Sequence, residues 1–210
     1  MAYPVSVDVQ PLLANRNRLT TAFRVILAIP HIILVGGVGG LGFSFTGGAR
    51  RESLGSETGL LGAVAFFLAV ISWFTIVLTG QHIIGIRQFT VFYMRWRVRA
   101  LAYLMLLEDL YPPFGEAPYP SSLTIVDPIG PRDRVTVGFR IFLGIPHFIV
   151  LIFLVFAWWV TSFVAWLAIL LTGAYPQGLY DFGVGVLRWL LRVEAYMLLL
   201  IDEYPPFSLT

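Results

Sequence analysis

The 210-residue chain is 58% hydrophobic and only 12% charged, where an average soluble domain has about 25% charged residues. Its mean hydropathy is +0.81. All fourteen basic residues are arginine and there is no cysteine, which excludes thiol catalysis, disulfides and Cys-ligated metal and points to a membrane protein.

From the amino end, Val5, Val7 and Val9 alternate with Ser6, Asp8 and Gln10. Period two predicts a short strand. A similar pattern recurs after Tyr119-Pro120, where Leu123 and Ile125 alternate with Thr124 and Val126. Two such arms are expected to pair with each other or to lie along a membrane surface. No cleavable signal peptide is expected, because residues 1–15 carry neither a basic segment nor a long apolar run.

The chain is a tandem duplication. Residues 16–31 and 132–147 agree at 9 of 16 positions, and residues 95–114 and 188–207 at 12 of 20. The first repeat is therefore placed at 1–115 and the second at 116–210. The first carries an additional Gly-rich segment at 36–59. Its Gly36-Gly37-Val38-Gly39-Gly40 run lacks the Lys-Ser/Thr of a phosphate loop.

Three uncharged runs follow one another: Val25–Ala49, Thr58–Ile86 and Ile141–Tyr180. A spanning helix needs about 20 apolar residues. The third run, forty residues long, would make a helix of roughly 60 Å, about twice the hydrocarbon thickness. It is therefore expected to fold back as a hairpin near Trp158–Ser162, with the Trp158-Trp159 pair at an interface. This gives four spans: 22–42, 60–80, 138–156 and 161–175. After each hairpin comes an arginine-bearing helix, 82–110 and 177–203, stopped by Tyr-Pro-Pro-Phe at 111–114 and 204–207. Gln88, Arg95 and Arg99 share one helical face, as do Asp181, Arg188 and Arg192. Such a helix is expected to lie in the membrane interface, since burying each arginine at mid-bilayer costs roughly 2.5–3.5 kcal/mol. The expected fold is thus an all-α integral membrane protein: two repeats, each a transmembrane hairpin plus an amphipathic interfacial helix, preceded by a short extended arm.

Twelve of the fourteen arginines fall on the side of the amino-terminal arm, the linker and the interfacial helices; only Arg50 and Arg51 do not. The positive-inside rule then places both termini in the cytoplasm and predicts a multi-pass protein of a bacterial inner membrane.

Two sets of residues invite a functional reading. His31 and His147 each follow a proline, Pro30 and Pro146, inside an apolar run. They are either paired ligands for haem or another tetrapyrrole, or a proton relay, or else plain polar partners for a carbonyl that the proline frees; with no further ligand pattern the plain reading is favoured. Arg95 and Arg99, with Arg188 and Arg192, form i, i+4 pairs beside Trp96 and Trp189. They are expected to contact anionic headgroups on the cytoplasmic side or a partner protein. No nucleic-acid partner is expected, because the basic stretch follows an apolar run and ends at a proline stop. The acidic pairs Glu108-Asp109 and Asp202-Glu203 read as solvated helix ends. No catalytic triad, zinc or nucleotide signature is present.

Taken together, Ile-Pro-His (29–31 and 145–147), Leu-Thr-Gly (78–80 and 171–173), Arg-Trp-x-x-Arg, and Asp-x-Tyr-Pro-Pro-Phe (109–114 and 202–207) resemble the bacterial membrane family called domain of unknown function four-three-eight-nine. Both repeats match. The resemblance implies an integral membrane protein and carries over neither substrate nor catalytic residue. The expected function is a non-catalytic accessory or structural subunit packing against a larger respiratory or photosynthetic membrane complex. The alternatives are a small transporter or channel, and an anionic-lipid-binding, membrane-organising protein.

Overall fold

A computed structural model describes residues 3–38, 59–128 and 130–210. Most of the Gly-rich segment, with Arg50 and Arg51 and the end of the expected 22–42 span, lies outside the described residues. The elements in order are strand β1 (Val5–Val9), helices α1 (Arg18–Ala22), α2 (Arg24–Val35), α3 (Gly59–Thr79) and α4 (Ile84–Leu104), strand β2 (Ser121–Ile125), and helices α5 (Arg134–Gly138), α6 (Arg140–Thr172) and α7 (Gln177–Met197). The protein is mostly helical. α3 and α6 are long and apolar enough to cross a membrane, and α2 is a shorter apolar helix.

The two arms pair. β1 and β2 form an antiparallel ribbon with Val7 opposite Leu123. Their valines and Leu123 point inward, while Ser6, Asp8, Ser122 and Thr124 are exposed. Residue n of the first repeat corresponds to n+116 as far as Val35, so Val7 and Leu123 are equivalent positions. A pseudo-two-fold axis therefore passes through that pair. The contacts obey it. Arg16 N–H donates to the Gly173 carbonyl at 2.9 Å, and Arg132 N–H to Gly80 at 3.0 Å. Trp73 Nε1 donates to the Val137 carbonyl at 2.9 Å, and Trp166 Nε1 to Thr21 at 3.0 Å. Each repeat closes on the other through these reciprocal bonds.

The third uncharged run does not fold back. α6 is one 33-residue helix, about 50 Å long at 1.5 Å per residue, without a turn at 158–162. The expected spans 138–156 and 161–175 are thus halves of a single helix. Trp158 is not at an interface: it is fully buried against α7, where a Cβ added at Gly183 would fall 2.7 Å from its Nε1. In the first repeat the same helix is made of two pieces. α2 has 12 residues and α3 has 21, which together match α6. A Cβ added at Gly59 would lie 2.4 Å from Gly36 N, so α3 starts against the carboxy-terminal turn of α2. The segment 36–58 is thus an insertion into the middle of a helix. The buried positions agree: Ala65, Ala69, Ser72 and Ile76 of α3 correspond to Trp158, Ser162, Ala165 and Ile169 of α6.

α4 and α7 are not surface helices. From Tyr93 to Leu107 and from Gly183 to Ile201 nearly every residue is buried. α4 and α7 pack on each other, with the ribbon against both, while α2 and α3 pack on α4 and α6 packs on α7. The expectation of an interfacial helix fails because arginine needs hydrogen-bond acceptors, not water as such, and the protein supplies them. The outer sides of the long helices are bare. Phe67, Phe74 and Leu78 of α3, and Phe142, Phe153, Phe156, Phe163 and Leu171 of α6, are exposed.

Candidate functional site

Three groups of polar side chains are enclosed by this framework. The first is a pair of equivalent aromatic boxes. Trp96 Nε1 donates to His31 Nδ1 at 3.1 Å, and Trp189 Nε1 to His147 Nδ1 at 3.2 Å. Phe114 stacks on His31 with ring centroids 4.6 Å apart, and Phe207 on His147 at 4.1 Å. Tyr111 and Tyr204 close the remaining side at 5.0 and 4.8 Å. Both histidines are buried, at 1% and 0% exposure. An accepting Nδ1 is unprotonated, so each neutral ring carries its proton on Nε2. Pro30 and Pro146 sit inside continuous helices. The histidines thus bond indole N–H groups, not carbonyls freed by proline, and the Tyr-Pro-Pro-Phe stops are walls of the boxes. Trp96 and Trp189 face histidine inside the protein and not lipid. Among the described residues no cluster of three or more His, Asp or Glu could hold a metal.

The second group is a pair of arginine clamps at the carboxy ends of α4 and α7. Asp202 binds Arg132 through two bonds of 2.6 Å and Arg140 through one of 3.0 Å. Asp109 binds Arg16 at 2.9 Å and Arg24 at 2.6 Å. Arg24 and Arg140 stack on Tyr103 and Tyr196, each 4.2 Å from the ring centroid. Arg140 Nη1 also donates to the carbonyls of Tyr196 and Ile201, at 2.9 and 2.8 Å. These carbonyls are offered by helix ends at which Leu106 and Leu199 take positive φ, 65° and 63°. The bonds Leu107 N–H to Ala102 O and Leu200 N–H to Ala195 O make both ends Schellman caps with leucine where glycine is usual. The left-handed leucine costs about 1–2 kcal/mol, which the bidentate charge-assisted bonds offset. Burial pushes the Asp202 carboxyl up, but Arg132 and Arg140 outweigh it and hold it below the ordinary carboxylate range. Asp109 and Asp202 are therefore clamp components and not solvated helix ends, whereas Glu203 is exposed. Glu108, beside the first clamp, is buried with Oε1 unpartnered among the described residues. Burial drives its carboxyl up, Arg16 draws it back, and it titrates at about 7.

The third group breaks the symmetry. Arg97 Nε donates to Glu194 Oε2 at 2.8 Å, and Tyr93 donates to Glu194 Oε1 at 3.2 Å. Arg97 also binds the Val35 carbonyl, and that of Gly37 at 3.3 Å. Their counterparts in the other repeat are Leu190, Leu101 and Val186.

The four arginines singled out by spacing divide between surface and interior. Arg95, at 42% side-chain exposure, pairs with Glu116 at 3.1 Å, and an exposed pair of this kind contributes about 0–1 kcal/mol. Arg188 Nε donates to the Val7 carbonyl at 3.3 Å. Arg99 and Arg192 are largely buried and tie down the segments beyond the proline pairs, through the Gly115 and Thr210 backbone oxygens at 2.6 Å each. Sequence spacing found the helix face but missed the His–Trp pairing, the clamps and the central pair. The two mismatches at 97 and 194 were the available signal for the last.

The family described as Domain of unknown function (DUF4389) matches residues 58–115 and 134–208. The chain belongs to this family. The two matched segments correspond to the two repeats, beginning at α3 in the first and at α5 in the second. No curated protein and no solved structure matches the chain.

Proposed function

We propose that this protein is a non-catalytic, membrane-embedded subunit that packs its long apolar helices against lipid and against neighbouring integral membrane proteins. The observation that carries this is the division of the surface. The outer faces of α2, α3 and α6 are exposed phenylalanine, leucine, isoleucine and valine along their length, whereas the outer face of the ribbon is Ser6, Asp8, Ser122 and Thr124. An exposed apolar surface of this length is an interaction surface for lipid or protein. The buried polar groups support a scaffold and not a reaction: His31, His147, Asp109, Asp202 and Glu194 each bond another part of the same fold.

The same division supports a placement. α6 begins at the Arg132–Arg140–Asp202 clamp and ends at Gly173, which binds Arg16 of the other clamp. If α6 crossed the bilayer, the clamps would lie at opposite faces and the ribbon, with Asp8, at mid-depth, where a charge costs roughly 2.5–3.5 kcal/mol. With the pseudo-two-fold axis along the membrane normal, both arginine clusters and the ribbon meet the cytoplasm and the long helices lie within the bilayer. The termini are then cytoplasmic, in a bacterial inner membrane. Blue-native electrophoresis of native membranes tests the subunit role. Co-migration with a larger assembly is expected; migration solely as a monomer or homo-oligomer would overturn it.

A second reading, an anionic-lipid-binding protein that organises the membrane, is favoured by an apolar cavity at the second clamp.

A further inference from the structure

Between α3 and the junction of α6 and α7 lies a cavity of about 280 Å³, just under the range of about 300–1,000 Å³ seen for small-molecule sites. Val70, Trp73 and Phe74 form one wall, and Met197 and Leu199 the other. The Trp73 N–H is engaged by the Val137 carbonyl, so the ring contributes carbon. Arg140 is the one charged residue on the lining. That side chain is 1% exposed. Its terminal nitrogens are engaged by Tyr196, Ile201 and Asp202, but its Nε–H has no acceptor among the described residues. At the same end Arg134, an exposed residue, lays its guanidinium over Gly80 at the close of α3.

We propose that this cavity takes one acyl chain of an anionic membrane phospholipid. The chain fills the space between Trp73 and Met197, and Arg134 faces the anionic headgroup. Three features select this occupant. A narrow carbon-lined space suits a single hydrocarbon chain. Arg140 on the lining and Arg134 over Gly80 place positive charge at one end of the space, which selects an anionic headgroup. The cavity lies beside the exposed faces of α3 and α6, which in the membrane reading on which this rests are in contact with lipid.

The test is photolabelling of the full chain in vesicles of phosphatidylethanolamine and phosphatidylglycerol, the phosphatidylglycerol carrying a diazirine on one acyl chain. Peptide mapping is expected to find adducts at Met197 or Leu199, which are only 7% and 3% exposed, as well as at outward-facing Phe67 and Phe153. Val70→Trp, at a half-exposed position on the rim, should lower the Met197 and Leu199 adducts by about tenfold, equivalent to about 1.4 kcal/mol of affinity, with the outer adducts unchanged. Adducts confined to Phe67, Phe153 and their neighbours would overturn the cavity proposal and leave the membrane reading standing. An absence of outer adducts as well would overturn the membrane reading itself. Labelling of Met197 by a diazirine fatty acid but not by the phospholipid would overturn the phospholipid assignment.

Discussion

Arg97 holds the carbonyl of Val35, the last residue of α2, and the residue equivalent to Arg97 in the second repeat is Leu190. The reason lies in the helix that each faces. α6 runs unbroken past Leu151, the counterpart of Val35, so its carbonyls are bonded within the helix. α2 stops there and leaves carbonyls without intrahelical donors. Arg97 supplies the donors, and Glu194 and Tyr93 supply its charge partner and a further hydrogen bond. This asymmetry in the described core is thus a local repair of the break made by the insertion.

This relationship predicts a conditional dependence. Arg97→Leu in the full chain leaves Glu194 buried without its cation and should cost about 3–5 kcal/mol, read as a large drop in Tm of the detergent-solubilised protein. Removing residues 36–58, so that Val35 joins Gly59, should restore a continuous helix. In that background Arg97→Leu combined with Glu194→Leu should be nearly neutral. A loss of stability equal in both backgrounds would show that Arg97 does not serve the helix break.

The clamps give a second prediction. Asp202→Asn leaves Arg132 and Arg140 buried with only carbonyl and amide acceptors, and Asp109→Asn does the same for Arg16 and Arg24. Each change should destabilise by about 3–5 kcal/mol. The two should be close to additive in thermal unfolding, because the clamps sit at opposite ends of the fold.

The aromatic boxes predict a modest effect of a different kind. Trp96→Phe removes the indole N–H and leaves His31 Nδ1 without a donor, at a cost of about 1–3 kcal/mol. Trp189→Phe should do the same at His147. The visible absorption spectrum of the purified protein should carry no haem or pigment band. A band abolished by His147→Ala would instead make these histidines ligands.

Glu108 sets a pH dependence. Its folded carboxyl titrates at about 7, above the value for an unfolded glutamate, so the folded state holds the proton more tightly. Stability is then greatest below the unfolded value and declines as pH rises through about 7. Asp202 acts in the opposite direction, but only at pH values below the ordinary carboxylate range. The buried neutral histidines titrate in the same window and act in the opposite sense, so the Glu108 part is read by difference in Tm: from pH 5 to pH 8 the wild type should lose about 2 kcal/mol relative to Glu108→Gln. Glu108→Gln should therefore be the more stable form at pH 8. A difference between the two proteins that does not change with pH would contradict the burial of this carboxyl.

The membrane placement can be read with cysteine chemistry, since the chain has no cysteine of its own. Arg18→Cys, Arg134→Cys and Asp8→Cys each introduce one thiol at an exposed position. All three should react with an impermeant maleimide from the cytoplasmic side alone. Labelling of Arg18→Cys and Arg134→Cys from opposite sides would mean that the long helices cross the bilayer.

Much of the framework was legible because it is written twice. The repeats, the paired arms and the helix stops follow from period-two alternation and from identities such as Ile-Pro-His and Tyr-Pro-Pro-Phe. The hairpin expected in the third run failed for a physical reason. Length alone does not dictate a turn, because an apolar helix longer than the bilayer is thick is accommodated by tilt as well as by folding back, and α6 runs without a turn from Arg140 to Thr172. The interfacial helices fail because arginine requires acceptors and not solvent or headgroups as such: Glu194 and the backbone oxygens of Val35, Gly115, Val7 and Thr210 satisfy Arg97, Arg99, Arg188 and Arg192 internally. Pairing of Trp96 with His31 spans 65 residues, and nothing local to either residue announces it.

The reciprocal bonds across the ribbon carry one more implication. β1 meets β2 at equivalent residues, and each repeat's long helix ends on the other repeat's arginine. Every such contact joins a position in one half to its symmetry mate's partner in the other, which is the geometry of an isologous dimer. A half-length ancestor could have formed the same particle by self-association, with stability tied to its concentration. Fusion into one chain removed that dependence. It also freed the halves to diverge, and one result in the described core is visible where Arg97 meets the interrupted helix.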